Sequence, residues 1–189
     1  MAFDSYGAPQ FGLRDVKVGT WDGDGTYTGL VDIPSVQLYG AILKIVSAQL
    51  EGDDEITASA ARAIAGESRL RFGSVSIAAL EIILGNLSTT SGAAPSAQDH
   101  FQVDGGDNMP YFGICGKALA EEGVGDLHVF LPKVRVMQDV ELATLQYGQF
   151  AIPELTVTAV SDAGFGIINL IEHQADTEIV LPPAGLSWA

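Results

Sequence analysis

Apolar and polar positions alternate with a period of two along most of the chain, which predicts a protein built mainly of β-strands. In the run over residues 41–50, the even-numbered side chains Ile42, Val46 and Leu50 share one face, and the odd-numbered side chains share the other. The same alternation, interrupted by Gly, Pro, Asn and Asp, predicts strands over residues 14–18, 26–32, 41–50, 56–64, 67–73, 109–115, 126–138, 149–161, 165–172 and 177–182. We expect the segments 165–172 and 177–182 to pair with each other.

The predicted strand over residues 126–138 contains a change of parity. Its apolar positions are odd-numbered up to Leu131 and even-numbered from Val134 onwards. The change falls at Pro132-Lys133, and a strand tolerates proline at a bulge or a bend. The pattern therefore predicts a β-bulge or a bend at this dipeptide.

A single helix is predicted, over residues 75–85, because its apolar residues recur with the helical period. Ile77, Leu80 and Leu84 fall on one side of it, and we expect them to anchor the helix to the sheet. We expect Leu80→Ala to lower the free energy of unfolding by about 2–5 kcal/mol, as for other buried leucines.

Both ends of this helix carry capping signals. Ser74 or Ser76 can accept hydrogen bonds at its start, and Gly85 can adopt the left-handed conformation that ends it. One amphipathic helix beside many strands predicts a mainly β fold, a β-sandwich or barrel with one flanking α-helix and long loops. The length of 189 residues predicts a single domain.

Three stretches are predicted to lie outside this framework. Residues 1–13 mix Gly, Pro and aromatic residues without periodicity and are predicted to be an N-terminal arm. Residues 88–98 contain no charge and no large side chain, which predicts a flexible loop. Residues 51–55, Glu-Gly-Asp-Asp-Glu, are predicted to form an acidic turn.

The composition is apolar but poor in charge. Apolar residues make up 47% of the chain and charged residues only 17%, and the 24 acidic against 9 basic residues give a net charge of −15. Such a net charge argues against binding to nucleic acid or to an anionic membrane, since both functions need clustered Lys and Arg. No apolar run is long enough for a transmembrane helix, and the N-terminus shows no secretory signal. A charge-poor surface is also expected of a chain that packs against copies of itself.

Motifs for catalysis, metal binding or cofactor binding are missing from the sequence, so we expect no enzyme, no metal and no cofactor. His100, His128 and His173 are not spaced as a ligand pair, and Cys115 is the only cysteine. We expect Cys115 to be a buried, inert thiol. The segments 22–25 and 104–108 are read as Gly/Asp turns, with weak calcium binding as the lesser alternative for 104–108.

Two alternatives to a structural role remain open. The Asp/Gly turns, with Trp21 and Tyr27 nearby for stacking on a sugar, are compatible with a β-sandwich module for carbohydrate or calcium-dependent binding. A barrel-type enzyme using His128 and nearby carboxylates is the second alternative. A calcium titration and a metal analysis would test them.

Several segments together resemble the major tail protein, the tail tube subunit, of long non-contractile-tailed bacteriophages or related gene-transfer particles. The resemblance extends over most of residues 14–183, and no single piece of it is diagnostic. It lies in the strand-to-helix passage, the loop after it, the paired strands of the second half and the ending, at residues 70–85, 88–98, 109–117, 127–136 and 172–183.

The resemblance implies the phage tail tube fold, with six subunits in a ring and strands of all six lining an inner barrel. Rings would stack into a hollow tube through which genomic DNA passes without specific binding. The implied partners are copies of the chain and other tail proteins: the tape measure, tail terminator and distal tail proteins. The implied location is the virion tail, after synthesis in the cytoplasm of the bacterial host.

Within this reading, the flexible segments are the ones expected to contact the adjacent ring. The residues chosen for that contact are Phe3, Tyr6, Ser91, Gly92, Ala93, Ala94 and Pro95. Deleting residues 91–97 is expected to leave the fold intact and to block tube growth. Six copies of −15 sum to about −90 per ring, and such a field would repel DNA at short range, so that it slides rather than sticks.

Overall fold

The computed structural model describes residues 10–23, 26–52, 55–74, 76–120, 126–143, 145–148 and 152–173, and in them the protein is mainly β with one α-helix. The helix is α1 (Ile77–Leu84). The strands are β1 (Gln10–Trp21), β2 (Tyr27–Asp32), β3 (Val36–Gly52), β4 (Glu55–Phe72), β5 (Thr89–Ser91), β6 (Gln98–His100), β7 (Phe112–Ala120), β8 (Asp126–Val136), β9 (Glu154–Ala159) and β10 (Asn169–His173).

Eight of these strands form one antiparallel sheet, with the order β2-β1-β7-β8-β9-β4-β3 and with β10 also paired to β8. β5 and β6 form a separate two-stranded hairpin. Although β1 and β3 are far apart in the strand order, they contact each other, so the sheet curves around one main core. The helix packs against β1, β2 and β8 on the core side. The main core includes Val18, Leu70, Phe72, Ile83, Phe112, Ile114, Leu131, Val134, Leu155 and Val157.

The predicted bulge in β8 is confirmed by the register between β7 and β8. Phe112 pairs with Val134 and Ile114 pairs with Leu131, so β8 uses three residues where β7 uses two. The extra residue lies at Pro132-Lys133 and turns the apolar side chains on both sides of it towards the main core.

A second, smaller cluster lies on the opposite face of the sheet. Cys115 and Phe130 are fully buried there, and Tyr27 and Phe165 pack against them. Phe165 reaches this face because the chain makes a tight turn between Asp162 and Gly166, whose φ of 74° suits glycine. The sheet is therefore covered on both faces in its β7–β8 region.

The helix has the ends that its sequence predicts. The Ser76 side chain accepts a hydrogen bond from the backbone N–H of Ala79, and Gly85 takes the left-handed conformation with φ of 83°. Leu80 and Leu84 are buried in the main core, as is Ile83. Ile77, chosen as the third anchor, is half-buried and lies outside the buried part of that core.

Two predicted boundaries in the first half of the chain are wrong. The segments 56–64 and 67–73 form one strand, β4, because pairing with β3 continues across a bulge at Ile64. Residues 10–13, predicted to belong to the arm, begin β1, because β7 offers a full-length partner to which Gln10 pairs at Ala120. Residues 1–9 of the predicted arm lie outside the described residues.

The second half of the chain also differs from the prediction in two places. The segment 88–98 is not wholly a loop, since Thr89–Ser91 pairs with Gln98–His100 as a hairpin. The predicted strand 165–172 begins only at Asn169, because residues 165–168 complete the turn described above, and it pairs with β8. The predicted partner segment 177–182 lies outside the described residues.

In the part of the chain that the structure describes, no helix has the length and apolar character needed to cross a membrane.

Candidate functional site: a projecting ribbon and an aromatic–cation cluster

The hairpin of β3 and β4 is much longer than the sheet that carries it. β4 pairs with β9 only from Gly66 to Arg71, and beyond Gly66 the two strands pair only with each other among the described residues. Every residue of 41–50 and 56–64 is exposed. We call these two segments the ribbon. At about 3.3 Å per residue, the nine residues of β3 from Lys44 to Gly52 project about 30 Å from the body.

The ribbon is apolar in spite of its exposure. Large apolar side chains occur along its whole length with 42–64% of their surface exposed. A monomeric soluble protein rarely shows an apolar surface of this continuity, and such surfaces usually mark contacts with other molecules. The side chains concerned are Ile42, Leu43, Ile45, Val46, Leu50, Ile56 and Ile64.

Both faces of the ribbon carry these side chains. Val46 and Leu50 lie on the same face as Arg62. Ile45 and its pairing partner Ala63 lie on the other face. The partner positions on β4 are mostly alanine, so both faces are shallow and another layer can approach them closely. Covering the ribbon therefore requires contacts on two sides.

The ribbon also offers an unpaired strand edge. β3 is the last strand in the sheet order, so the outer N–H and C=O groups of Val36–Gly52 have no ladder partner among the described residues. A long, apolar, unprotected edge is a template for pairing with another chain. The ribbon thus combines two uncovered faces with one uncovered edge.

The ribbon carries only positive charges, whereas the net charge of the whole chain is strongly negative. Its residues include two cations, Lys44 and Arg62, and no carboxylate. Lys44 Nζ lies 2.7 Å from Glu67 Oε2 at the base of the ribbon, and this hydrogen bond lowers the pKa of Glu67. Arg62 makes no ion pair with a described residue. At the tip of the ribbon, β3 ends at Gly52 and β4 begins at Glu55.

The ribbon leaves the body at Gly66, where space is limited. A Cβ atom built on Gly66 would lie 3.0 Å from Ala159 Cβ and 3.1 Å from Ile167 Cγ2. Glycine fits this point because Gly66 pairs directly with Ala159 on β9 and lies close to Ile167, so a larger side chain would require these neighbours to shift.

A second unusual group of side chains lies on the face of the sheet opposite the main core. We call Trp21, Tyr111, Lys133 and Arg135 the aromatic–cation cluster; all four are half-buried. Lys133 Nζ lies 3.9 Å from the centroid of the Trp21 ring and 4.7 Å from that of Tyr111, and the Arg135 guanidinium carbon lies 3.8 Å from that of Tyr111. Both cations are therefore held by aromatic rings.

The predicted candidates for metal or catalytic chemistry do not come together. His128 is buried in β8, whereas His100 is exposed in β6 and His173 ends β10. The described residues contain no group of three or more His, Cys, Asp or Glu that could hold a metal ion. Cys115 is buried in the second cluster, and burial raises the pKa of its thiol to about 12.

The turn over residues 104–108 is held by its own side chains. Asp107 accepts hydrogen bonds from the Asn86 side chain and from the backbone N–H of Asp104, both at 2.7 Å. These hydrogen bonds lower the pKa of Asp107. Asp107 thus connects the turn to Asn86 after the helix.

The aromatic residues considered for sugar stacking, Trp21 and Tyr27, pair directly across β1 and β2, and each ring packs against other side chains. Trp21 belongs to the aromatic–cation cluster, where Lys133 covers one face of its ring. Tyr27 packs edge-on against Phe130 in the second cluster, and its hydroxyl donates to the Pro132 carbonyl at 2.7 Å.

The residues predicted for contact with an adjacent ring lie elsewhere than the ribbon. Ser91, Gly92, Ala93, Ala94 and Pro95 are all exposed at the end of the β5–β6 hairpin. Phe3 and Tyr6 lie outside the described residues. Sequence analysis missed the ribbon as a surface, although residues 41–46 are apolar at both parities, a pattern typical of strands covered on two faces.

Comparison with known proteins adds no relative. No family model matches the chain, and no curated protein matches it significantly.

Proposed function

We propose that the chain is a structural virion protein that assembles with copies of itself into stacked hexameric rings, which form the hollow tail tube of a bacteriophage or gene-transfer particle. The single observation that carries the proposal is the ribbon, an apolar hairpin that projects from the body with both faces and one edge uncovered. The resemblance of the sequence to tail tube subunits supports the specific form of the assembly.

Burial of the ribbon would supply the driving force for assembly. Full burial of a Val, Leu or Ile side chain contributes about 1.5–3 kcal/mol, and roughly half of each large ribbon side chain is still exposed in the single chain. Each therefore contributes about 1 kcal/mol when a neighbour covers it. Pairing of the free β3 edge would also satisfy backbone groups that otherwise depend on water.

The shape of the ribbon favours rings and stacks over a simple dimer. A twofold contact places the same patch of two chains together and then closes, so it covers one face and leaves the other exposed. A ribbon with two apolar faces is covered fully only when it lies between different surfaces of its neighbours. Contacts between different surfaces propagate into rings or filaments.

The charge of the chain suits a conduit for DNA. Duplex DNA carries one negative charge per about 1.7 Å of its axis, and a protein of net charge −15 holds few cations with which to bind it. In the proposed tube, DNA therefore passes without being retained. The binding of DNA by single chains is expected to be weak at physiological salt.

Negative-stain electron microscopy of the concentrated protein tests the proposal, together with sedimentation velocity over a range of concentrations. We expect rings or tubes with a central hole wide enough for duplex DNA, in equilibrium with single chains. A protein that stays monomeric up to several hundred micromolar, with and without a preformed seed, contradicts the proposal. Closed dimers without larger species contradict it as well.

A further inference from the structure

The aromatic–cation cluster holds two of the nine basic residues of a very acidic chain, and neither has an acidic partner. No described carboxylate lies within 4 Å of Lys133 or Arg135, and Arg135 Nε is buried without a hydrogen-bond acceptor. Asp162 accepts a hydrogen bond from Trp21 Nε1 of the cluster at 3.1 Å and another from the Gly164 N–H at 3.0 Å.

Aromatic rings fix these cations without using up their hydrogen-bond donors. A guanidinium stacked on a ring keeps donors at its edge, and an ammonium over a ring keeps those N–H groups that point away from it. Arginine in such a setting is well suited to bind a carboxylate through two parallel hydrogen bonds. The cluster is therefore arranged as a receptor for anions.

We propose that the aromatic–cation cluster is a carboxylate receptor that binds the acidic turn, residues 51–55, of a second copy of the chain. The turn holds four carboxylates in five residues, at Glu51, Asp53, Asp54 and Glu55, and it is joined to a ribbon that carries no other acid. Charge complementarity between the turn and the cluster selects the occupant. The biological setting rests on the proposed self-assembly, whereas the binding itself can be tested apart from it.

The register of the sheet excludes binding of the turn to the cluster of its own chain. Arg135 pairs with Thr158 on β9, and Thr158 pairs with Glu67 on β4, so the cluster lies level with Glu67. Glu55 at the tip is twelve residues further along β4, which corresponds to about 40 Å in an extended strand. The tip of one chain can therefore reach only the cluster of another chain.

The binding experiment uses the full chain with Trp188→Phe, so that Trp21 is the only tryptophan and reports on its own site. The probe is a cyclised hairpin peptide of residues 49–58, and its control has amides in place of the four carboxylates. We expect the acidic peptide to change the Trp21 emission and the amide peptide to have no effect. Binding is expected to weaken as salt rises, because the contact is between charges.

Variants assign the binding to the cluster. The double variant Lys133→Gln, Arg135→Gln is expected to lower the affinity for the acidic peptide about five- to tenfold. The matched control, Arg14→Gln with Arg62→Gln, removes the same charge from exposed cations outside the cluster. We expect it to change the affinity less than about twofold, which is the effect of the altered net charge alone. Circular dichroism melting checks that both variants are folded.

Charge reversal in the assembly gives a second readout. We expect Lys133→Glu with Arg135→Glu to block tube growth, and the further change of Glu51→Lys and Glu55→Lys in the same chain to restore it. Peptide binding without tubes supports the receptor and contradicts the proposed function. Tubes that are insensitive to charge reversal, with equal binding of both peptides, overturn the receptor and leave the proposed function standing.

A nucleic acid is the competing ligand, since phosphate has the same charge and hydrogen-bonding character. Fluorescence anisotropy with a labelled duplex of 20 base pairs tests it under the same conditions. Tighter binding of the duplex than of the acidic peptide, lost in Lys133→Gln, Arg135→Gln but not in the control, overturns the proposal.

Discussion

Weakening one face of the ribbon should impair assembly while leaving the single chain folded. The perturbation is the pair Val46→Thr, Leu50→Thr, which lies on the face shared with Arg62. Threonine is β-branched, a shape that strands favour, so the hairpin itself is preserved. The companion pair, Leu43→Thr with Ile45→Thr, makes the same change on the opposite face.

The expected magnitude follows from the exposure of the two side chains. Val46 is 54% and Leu50 is 64% exposed in the single chain, so most of their burial would occur only on assembly. At about 1.5–3 kcal/mol for full burial, the pair loses about 2–3 kcal/mol of assembly free energy per chain. The critical concentration for assembly should then rise about 30- to 150-fold, since 1.4 kcal/mol corresponds to a factor of ten. The free energy of unfolding of the single chain should change by less than about 1 kcal/mol, as usual for surface positions.

Light scattering against protein concentration gives the critical concentration, and urea unfolding of the dilute protein gives the stability of the single chain. Leu170→Thr is the matched control. The exposed fraction of Leu170, 66%, is similar to that of Leu50, but Leu170 lies on β10 away from the ribbon. We expect this control to assemble at the concentration of the unchanged chain.

The reasoning is refuted if both ribbon pairs assemble as the unchanged chain does. It is also refuted if Leu170→Thr raises the critical concentration as much as Val46→Thr, Leu50→Thr does, since apolar exposure in general would then be the cause. A large effect from one face alone contradicts the two-sided covering of the ribbon but not its role in assembly.

Three further predictions concern the body of the molecule. Leu80→Ala should lower the free energy of unfolding by about 2–5 kcal/mol in urea melts, because the side chain is buried in the main core. Cys115 should not react with a thiol reagent at pH 8 unless the protein unfolds. Because burial raises the pKa of its thiol from 9.0 to about 12, its contribution to stability is complete below pH 9 and is lost as the pH rises towards 12, which melts at different pH values would detect. Replacing residues 92–97 by Asn-Gly should leave the melting temperature within a few degrees, about the usual effect of a loop change, and should stop tube growth in electron micrographs if the β5–β6 hairpin contacts the next ring.

Local patterns in the sequence predicted the elements whose partners lie close by. The parity change at Pro132-Lys133 marks the bulge in β8, and Ser76 with Gly85 marks the ends of α1, since these signals depend on neighbouring residues alone. The continuity of β4 through Ile64 could not be predicted in this way. It depends on the pairing with β3, which continues on both sides of the bulge.

The candidate site was harder to predict for the same reason. Trp21, Tyr111, Lys133 and Arg135 come from three separate segments, and only the register of β1, β7 and β8 brings them together. The ribbon residues were correctly placed on strands, but their exposure depends on where β9 stops pairing with β4. That limit is set by Gly66 and the turn before β10, which the alternation of apolar residues does not encode.

The distribution of charge has a consequence for the bore of the proposed tube. If the ribbons line that bore, as the resemblance implies, its wall is rich in alanine, and its only charges are Lys44 and Arg62. Lys44 is neutralised by Glu67, so the repulsion of DNA expected from the net charge of −15 does not come from the ribbon. In that arrangement, the acidic segments 51–55 would supply the repulsion next to the ribbons, as one negative band per ring. Binding of these segments by the aromatic–cation clusters would neutralise part of that negative charge. Because the screening length is about 8 Å at physiological salt, DNA would meet separate bands of repulsion with nearly neutral wall between them.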